Sequence, residues 1–168
     1  FHTFSWFLPE GYTGQGFDEW VLFMNPQNRS TAVRVVYQTL AGQVEGPLIN
    51  TLANSRSTVH VNAWIPDQMV STMVTSIDGG QIMAERAMYM YGTADGKWGA
   101  HDSIGTMTPG SIWYLPEGAT YTGFDEWVLL QNPNDVDVTA RVQFWGRGGL
   151  EKEIDVPVPA RSRYSIHA

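Results

Sequence analysis

The segment Gly16-Phe17-Asp18-Glu19-Trp20-Val21-Leu22 returns 107 residues later as Gly123-Phe124-Asp125-Glu126-Trp127-Val128-Leu129. A second motif, Trp-aromatic-Leu-Pro-Glu-Gly, precedes each copy, at residues 6–11 and again at 113–118. The offset needs no gap from residue 4 to residue 61, and 15 of the 21 positions from 6 to 26 are identical in the two copies. A repeat of domain length is a common way to build surface and scaffold proteins, and a poor way to build one asymmetric active site.

Composition narrows the class of protein. The 168 residues carry a net charge of −7 and no cysteine. An acidic chain lacks the basic face that phosphate recognition needs, so we expect no nucleic-acid partner. Disulfides and thiolate metal sites are excluded. No run of about 18 apolar residues occurs, so we expect no membrane span. Asn28-Arg29-Ser30 fits the N-glycosylation pattern.

Strand signals recur at short intervals, whereas helix signals are almost absent. Val33, Val35 and Tyr37 alternate with Arg34, Val36 and Gln38, and this period of two places the first set in the core and the second outside. Asp78-Gly79-Gly80 predicts a hairpin, and the Gly-rich stretch 92–110 is predicted to be a loop. The predicted strands of the first copy lie near residues 5–10, 19–25, 32–39, 43–52, 56–63, 69–77 and 81–91.

About seven strands in some 100 residues with short turns are typical of an immunoglobulin-like sandwich. We therefore predict an all-β, immunoglobulin-like antiparallel β-sandwich, repeated with a period of 107; a barrel of similar size is the alternative. Residues 1–107 would form a complete repeat. Residues 108–168 would form a partial one with the first five strands only, because Ala168 aligns with Val61.

Three arrangements are open for the partial second repeat. In the first arrangement the sequence is cut off within the second repeat. In the second arrangement the partial repeat packs on residues 63–107 of the first repeat. In the third arrangement, a strand from a neighbouring chain completes it.

Further motifs accompany the two blocks. They are Leu52-Ala53-Asn54-Ser55-Arg56, Met83-Ala84-Glu85-Arg86-Ala87-Met88-Tyr89 and Gly99-Ala100-His101-Asp102-Ser103-Ile104-Gly105. Together they resemble a family of tandem Trp-rich repeats in large exported and cell-surface bacterial proteins, in which "WYLAEG" precedes "GFDTWLLIQNPN". Pro9 and Pro116 stand where that family usually has alanine. The resemblance implies an extracellular or cell-surface β-domain used in arrays, and it supplies no catalytic residues.

The acidic pairs are the first candidates for chemistry. Asp18 and Glu19 are adjacent, and neighbours on a strand point to opposite faces, so they cannot readily form one catalytic dyad. No calcium-loop pattern accompanies them. His101, Asp102 and Ser103 are consecutive and cannot face one another as a triad. We therefore predict no enzyme activity, no cofactor and no metal site.

Charged residues inside strands predict a structural polar network instead. Glu85 and Arg86 lie in the middle of an apolar run, so one of them must point toward the core and needs a partner there. The residues assigned to the network are Glu10, Asp18, Arg34, Glu85, Arg86, Glu117, Asp125 and Arg141.

Tryptophan offers a different function. Trp6, Trp20 and their copies, Trp113 and Trp127, recur within strands, as core positions do. Trp98, in a Gly-rich stretch, and Trp145, after an inward Phe144, are the candidates for exposure and glycan contact.

We predict a non-catalytic extracellular structural or adhesion module of a cell-surface or filament-forming repeat protein. It would assemble with itself or with neighbouring repeats by strand exchange or head-to-tail contacts. The alternative is a carbohydrate-binding module attached to a secreted enzyme.

Overall fold

The computed structural model of the protein describes residues 3–92 and 96–168. In these residues no helix is long and apolar enough to cross a membrane, and the one helical element is a 3₁₀ turn at Val61–Ala63. The strands described are β1 (Phe4–Leu8), β2 (Phe17–Asn25), β3 (Thr31–Thr39), β4 (Gly42–Thr51), β5 (Ser55–His60), β6 (Ser71–Ser76), β7 (Met83–Tyr91), β8 (Trp98–Ile104), β9 (Trp127–Asn132), β10 (Val138–Gly146), β11 (Gly149–Val158) and β12 (Ser162–His167).

The first unit, residues 1–107, contains two antiparallel sheets of four strands each. One has the order β1-β6-β3-β4 and the other the order β5-β2-β7-β8. The predicted all-β antiparallel sandwich is confirmed. Its strand order differs from that of an immunoglobulin constant domain. In such a domain the first two strands pair, whereas here β1 pairs with β6.

The core lies between these two sheets. Val33, Val35 and Tyr37 of one sheet pack with Val21 and Phe23 of the other, and all five are fully buried or nearly so. Strand alternation explains why these residues are buried, because every second residue of a strand faces the opposite sheet.

The prediction of a hairpin at Asp78-Gly79-Gly80 is wrong. Strands β6 and β7 lie in different sheets, so this turn carries the chain across the sandwich. The Asp78 carboxylate accepts hydrogen bonds from the backbone N–H of Ala32 at 3.0 Å and of Gly80 at 3.2 Å, and from the Thr31 hydroxyl. Asp-Gly chemistry specifies a turn and a positive φ, here 79° at Gly79, but does not specify which strands pair.

The predicted loop 92–110 contains a strand, which is a second correction. Strand β8 pairs with β7 at the edge of its sheet, and every residue of β8 is exposed. An exposed edge strand has no alternating burial, so its sequence carries no period-two signal. Residues 93–95 of the predicted loop lie outside the described residues.

The second unit, residues 108–168, repeats part of this architecture. Strand β9 pairs with β12 as β2 pairs with β5, and β10 pairs with β11 as β3 pairs with β4. Val156, Val158 and Ile166 form a small core between these two pairs. The first of the five expected strands does not form, since residues 111–115 have no strand pairing. Its counterpart β1 pairs with β6, and β6 has no copy among the residues described.

The two units touch through a contact that we call the joint. The Gln38 side-chain amide donates to the Asn132 carbonyl at 3.2 Å, and Gln131 donates to the Gln38 side-chain oxygen at 2.9 Å. Arg163 Nε donates to Ser71 Oγ at 3.1 Å. The partial repeat therefore packs on the first unit, as in the second of the three arrangements, although its contacts include β3 as well as β6.

Candidate functional site

Charged side chains from both units cluster near the joint, where Glu19, Arg86 and Arg163 are buried and Glu10 and His101 are partly exposed. We call this group the polar cluster, and its members are Glu10, Glu19, Arg86, His101 and Arg163. Arg86 Nη2 donates to Glu10 Oε2 at 2.5 Å and lies 3.3 Å from His101 Nδ1. His101 Nε2 lies 3.3 Å from Glu10 Oε1. The adjacent residues Glu85 and Arg86 of β7 point to opposite faces, since Arg86 is buried and Glu85 is exposed.

Glu19 is the most deeply buried acid of the polar cluster. Its side chain is fully buried, and neither carboxylate oxygen has a hydrogen-bond partner. Burial raises the pKa of Glu19 to about 8, against the opposing effects of the Arg86 charge and the nearby Tyr12 backbone N–H. A Cβ atom on Gly11 would lie 2.4 Å from Glu19 Oε1, so the glycine of the Pro-Glu-Gly motif makes room for this carboxyl group.

Arg163 enters the polar cluster from the second unit. Its side chain is fully buried, and both terminal nitrogens have no hydrogen-bond partner. Burial lowers the pKa of Arg163 to about 10, and the charges of Glu19 and then Glu10 oppose that shift. The equivalent residue of the first unit, Arg56, is exposed. One repeat position therefore has two environments, and the joint makes the difference.

A second constellation recurs in both units. His60 Nε2 lies 2.5 Å from Asp18 Oδ1, and the His60 ring stacks on Trp20 with centroids 4.3 Å apart. In the second unit His167 lies 3.6 Å from Asp125 and stacks on Trp127 at 4.5 Å. These cross-strand groups lie on the outer faces of β2 and β9.

The structure does not bring the eight predicted network residues together. Glu10 and Arg86 belong to the polar cluster, whereas Asp18 and Asp125 belong to the outer constellations. Arg34 pairs with Glu45 at 2.7 Å, and Arg141 with Asp155 at 2.9 Å, both on the surface. Glu85 and Glu117 are exposed.

Sequence reasoning missed Glu19, Arg163 and the role of His101. Glu19 alternates with Val21 and Phe23, which face inward, and that period-two signal could have found it. No local signal marks Arg163, because its copy Arg56 has the same residue type and an exposed side chain.

A cavity of about 180 Å³ lies beside the polar cluster, at the joint. Its walls are mainly apolar, with Glu10 and Arg86 at the polar end. The lining residues are Leu8, Pro9, Glu10, Arg86, Ser103, Ile104, Leu115, Trp127 and Leu129. Within residues 3–92 and 96–168, no group of three or more His, Asp or Glu side chains is arranged to hold a metal ion.

The tryptophans divide into buried and exposed positions. Trp6 is 8% exposed and donates to the Ile82 carbonyl, whereas its copy Trp113 is 59% exposed. The core position inferred for Trp113 is therefore wrong. The same inference is wrong for Trp20 and Trp127, whose rings stack on histidines on the outer faces of β2 and β9. Trp98 and Trp145 are 74% and 67% exposed. Trp98 meets Tyr91 edge-on at 6.2 Å.

Comparison with known proteins shows a likeness in fold. No family model and no curated protein matches the chain. The chain is similar to the structure described as "Crystal Structure of Thermotoga maritima 1070", with 15% identity and a TM-score of 0.55 over 62% of this chain and 94% of that one. It is also similar to the Anabaena sensory rhodopsin transducer, with 16% identity and a TM-score of 0.44 over 49% of this chain and 93% of that one.

Proposed function

We propose that this chain is a non-catalytic structural module of an extracellular or cell-surface repeat protein. Its second unit is an acceptor for strands supplied by a second copy. The observation that carries the proposal is the contrast between matched positions of the two units. Trp6 and Leu8 are 8% and 2% exposed, while Trp113 and Leu115 are 59% and 66% exposed. The cell-surface location rests on the family resemblance of the repeated motifs.

The hydrogen-bonding edges of the second unit support the same proposal. Strand β2 lies between β5 and β7, whereas its copy β9 pairs only with β12 among the described residues. Likewise β3 lies between β4 and β6, whereas β10, in the same described part of the chain, pairs only with β11. An open edge beside uncovered apolar side chains favours the addition of another strand.

The occupant is defined by the first unit. Strands β6 and β7 fill the corresponding positions there, one in each sheet. Equivalent strands from a second copy would cover Trp113 and Leu115, and covering each would contribute about 2 kcal/mol. Backbone hydrogen bonds along both edges would fix the register of the added strands.

The test compares the chain with a version completed in cis, in which residues 62–104 are repeated after Ala168. If the open edges drive association, completion should weaken self-association at least tenfold in light scattering and raise the melting temperature. Trp113 should become buried, which shifts tryptophan emission to shorter wavelength.

The matched control carries aspartate at the appended copies of Val74 and Ala84, whose originals are buried. It should remain like the parent chain. A completed chain that associates as strongly as the parent, with no gain in stability, would contradict strand addition.

Glycan binding is the second candidate, and one observation favours it. Tyr89, Tyr91 and Trp98 form an exposed strip on β7 and β8, and the two tyrosine rings are within 9° of parallel at 6.0 Å. Exposed aromatic rings can stack on the apolar faces of pyranoses. Soluble polysaccharides should then retard the chain in affinity electrophoresis. Trp98→Ala should abolish the retardation. Trp145→Ala tests separately whether the other exposed tryptophan ring takes part. Equal mobility with and without every polysaccharide would refute this function.

A further inference from the structure

We infer that the outer face of β7 and β8 binds uncharged pyranose glycans, and that Asp102 is the residue that selects them over acidic ones. The site consists of the aromatic strip (Tyr89, Tyr91 and Trp98) and a pocket beside it. The inference rests on the glycan-binding candidate described above and adds to it the class of glycan and the selecting residue. All four residues belong to the first unit, where β7 and β8 pair without a shift in register.

The register places the strip and the pocket on one face of the sheet. Arg86 is buried and pairs with Ser103, so side chains at this level of the ladder point toward the core. Neighbouring residues of a strand point to opposite faces, and residues opposed across two strands share a face. The outward pairs are therefore Ala87 with Asp102, Tyr89 with Ala100, and Tyr91 with Trp98.

The rings of the aromatic strip are exposed and held in place. Tyr89, Tyr91 and Trp98 are 38%, 50% and 74% exposed. The edge-on contact with Tyr91 fixes one side of the Trp98 ring. A Cβ atom on Gly92 would lie 3.4 Å from the same indole, so the backbone of Gly92 supports the ring as well. Rings that are already positioned lose little conformational freedom when a ligand stacks on them.

A pocket of about 110 Å³ adjoins the strip. It is lined by Ala87, Tyr89, Ala100, His101 and Asp102. The two alanines are outward-facing, and their small side chains leave the space open between the Tyr89 ring and the Asp102 carboxylate. Tyr89 and Asp102 occupy diagonal positions of the ladder, about 7 Å apart, which is comparable with the width of one pyranose ring. A sugar stacked on Tyr89 can therefore present its hydroxyl groups to Asp102.

Asp102 is the carboxylate that is available to such a sugar. Asp18, which lies opposite Tyr89 on β2, already accepts a hydrogen bond from Trp20 Nε1 at 3.0 Å and contacts His60. Asp102 is exposed, and within residues 3–92 and 96–168 its side chain has no ion-pair partner. An ionised carboxylate only accepts hydrogen bonds, and it can accept them from two hydroxyl groups at once.

The charges around the pocket determine which glycans fit. Glu85 is exposed on the same face as Asp102, and the chain carries a net charge of −7. Arg56, the arginine of this face, lies on β5, at the opposite edge of the sheet from β8. A uronate or sulfate group in the pocket would meet a like charge, which opposes binding. Uncharged hydroxyl groups donate to Asp102 without this repulsion.

The test is affinity electrophoresis of the full chain at several polymer concentrations. The probes are hydroxyethyl cellulose, dextran and guar galactomannan, each compared with the carboxymethyl derivative of the same polysaccharide. We expect at least one uncharged polymer to retard the chain, and its carboxymethyl derivative to bind about fivefold more weakly or less. Tyr89→Ala should weaken binding by about tenfold, whereas Tyr89→Phe, which keeps the ring, should not.

Asp102→Asn measures the selection directly, because asparagine keeps the shape of the side chain and removes its charge. This variant should lose most of the preference for the uncharged polymer over its carboxymethyl derivative. The control is Asp67→Asn, which makes the same change of net charge at an exposed position outside the face and should keep the wild-type preference.

The outcomes separate the inference from the functions proposed above. Equal binding of an uncharged polymer and its derivative, or an unchanged preference in Asp102→Asn, would overturn the role of Asp102 and leave glycan binding standing. Retardation by none of the polymers would overturn both the inference and the glycan-binding candidate. Strand addition is measured by light scattering without any polysaccharide, so neither result bears on it.

Discussion

Replacing Glu19 with glutamine should remove a large pH dependence of stability. Glutamine keeps the shape that fits against Gly11 but cannot ionise. Glu19 has an ordinary pKa of 4.5, which burial raises to about 8 in the folded chain. Between these values the folded state holds a proton that the unfolded state has lost. Wild-type stability should therefore be fully present below pH 4.5 and fall as the pH rises toward 8.

The magnitude follows from the width of that window. Each pH unit corresponds to about 1.4 kcal/mol, so the interval from 4.5 to pH 7 corresponds to about 3 kcal/mol at most. The free energy of unfolding of Glu19→Gln minus that of wild type should grow by up to this amount from pH 4.5 to pH 7. Groups common to both proteins cancel in the difference.

Urea denaturation followed by tryptophan fluorescence at several pH values from 4.5 to 8 measures this difference. Glu126→Gln is the matched control, because the same repeat position is only half-buried in the second unit. Its difference from wild type should vary much less with pH. A constant difference between Glu19→Gln and wild type would refute the reasoning, since it would mean that folding takes up no proton at Glu19.

Three further substitutions test the packing and the charges. Gly11→Ala should cost about 2 kcal/mol in urea denaturation, because its Cβ meets the buried carboxyl group, and Gly118→Ala should cost less. Equal costs would contradict the tighter packing of the first unit. Arg86→Met should destabilise by about 3 kcal/mol, because it leaves the Glu10 carboxylate without its ion-pair partner; unchanged or raised stability would contradict the ion pair. Asp78→Ala should cost about 2 kcal/mol at pH 7 through lost hydrogen bonds. Hydrogen bonding from Thr31 lowers the pKa of Asp78 to about 2, so this advantage should shrink as the pH falls from 3.8 toward 2, and a cost that stays constant to pH 2 would contradict it.

Local alternation made the sandwich predictable. Val33, Val35 and Tyr37 face the core as their spacing indicates, because a half-buried strand must present every second residue to the opposite sheet. The strand pairing was not predictable by the same means. Asp78-Gly79-Gly80 forms a turn as expected, yet the next strand joins the other sheet, because turn residues of this kind do not specify which strands pair.

Only the pairing of Arg86 with Glu10 was predictable within the polar cluster. The position of Arg86 within an apolar strand required a buried partner, and Glu10 was among the partners considered. Arg163 lies outside this reasoning because its burial depends on a surface about 90 residues away in sequence, at Ser71. Long-range packing decides such burial, and a single sequence does not display it.

The two copies of the repeat provide an internal control for the effect of long-range packing on burial. Arg56 and Arg163 share residue type, strand position and cross-strand geometry, yet one is exposed and the other fully buried. Trp6 and Trp113 differ in the opposite sense, since the first-unit copy is the buried one. Local sequence does not account for the tryptophan difference, because the segments around Trp6 and Trp113 are nearly identical, and the arginines occupy equivalent positions of equivalent strands. What differs is the neighbour: β6 covers Trp6, and the first unit covers Arg163. An exposed copy should therefore become buried when a neighbour of the same kind packs on it, and the fluorescence of Trp113 in the cis-completed chain measures this directly.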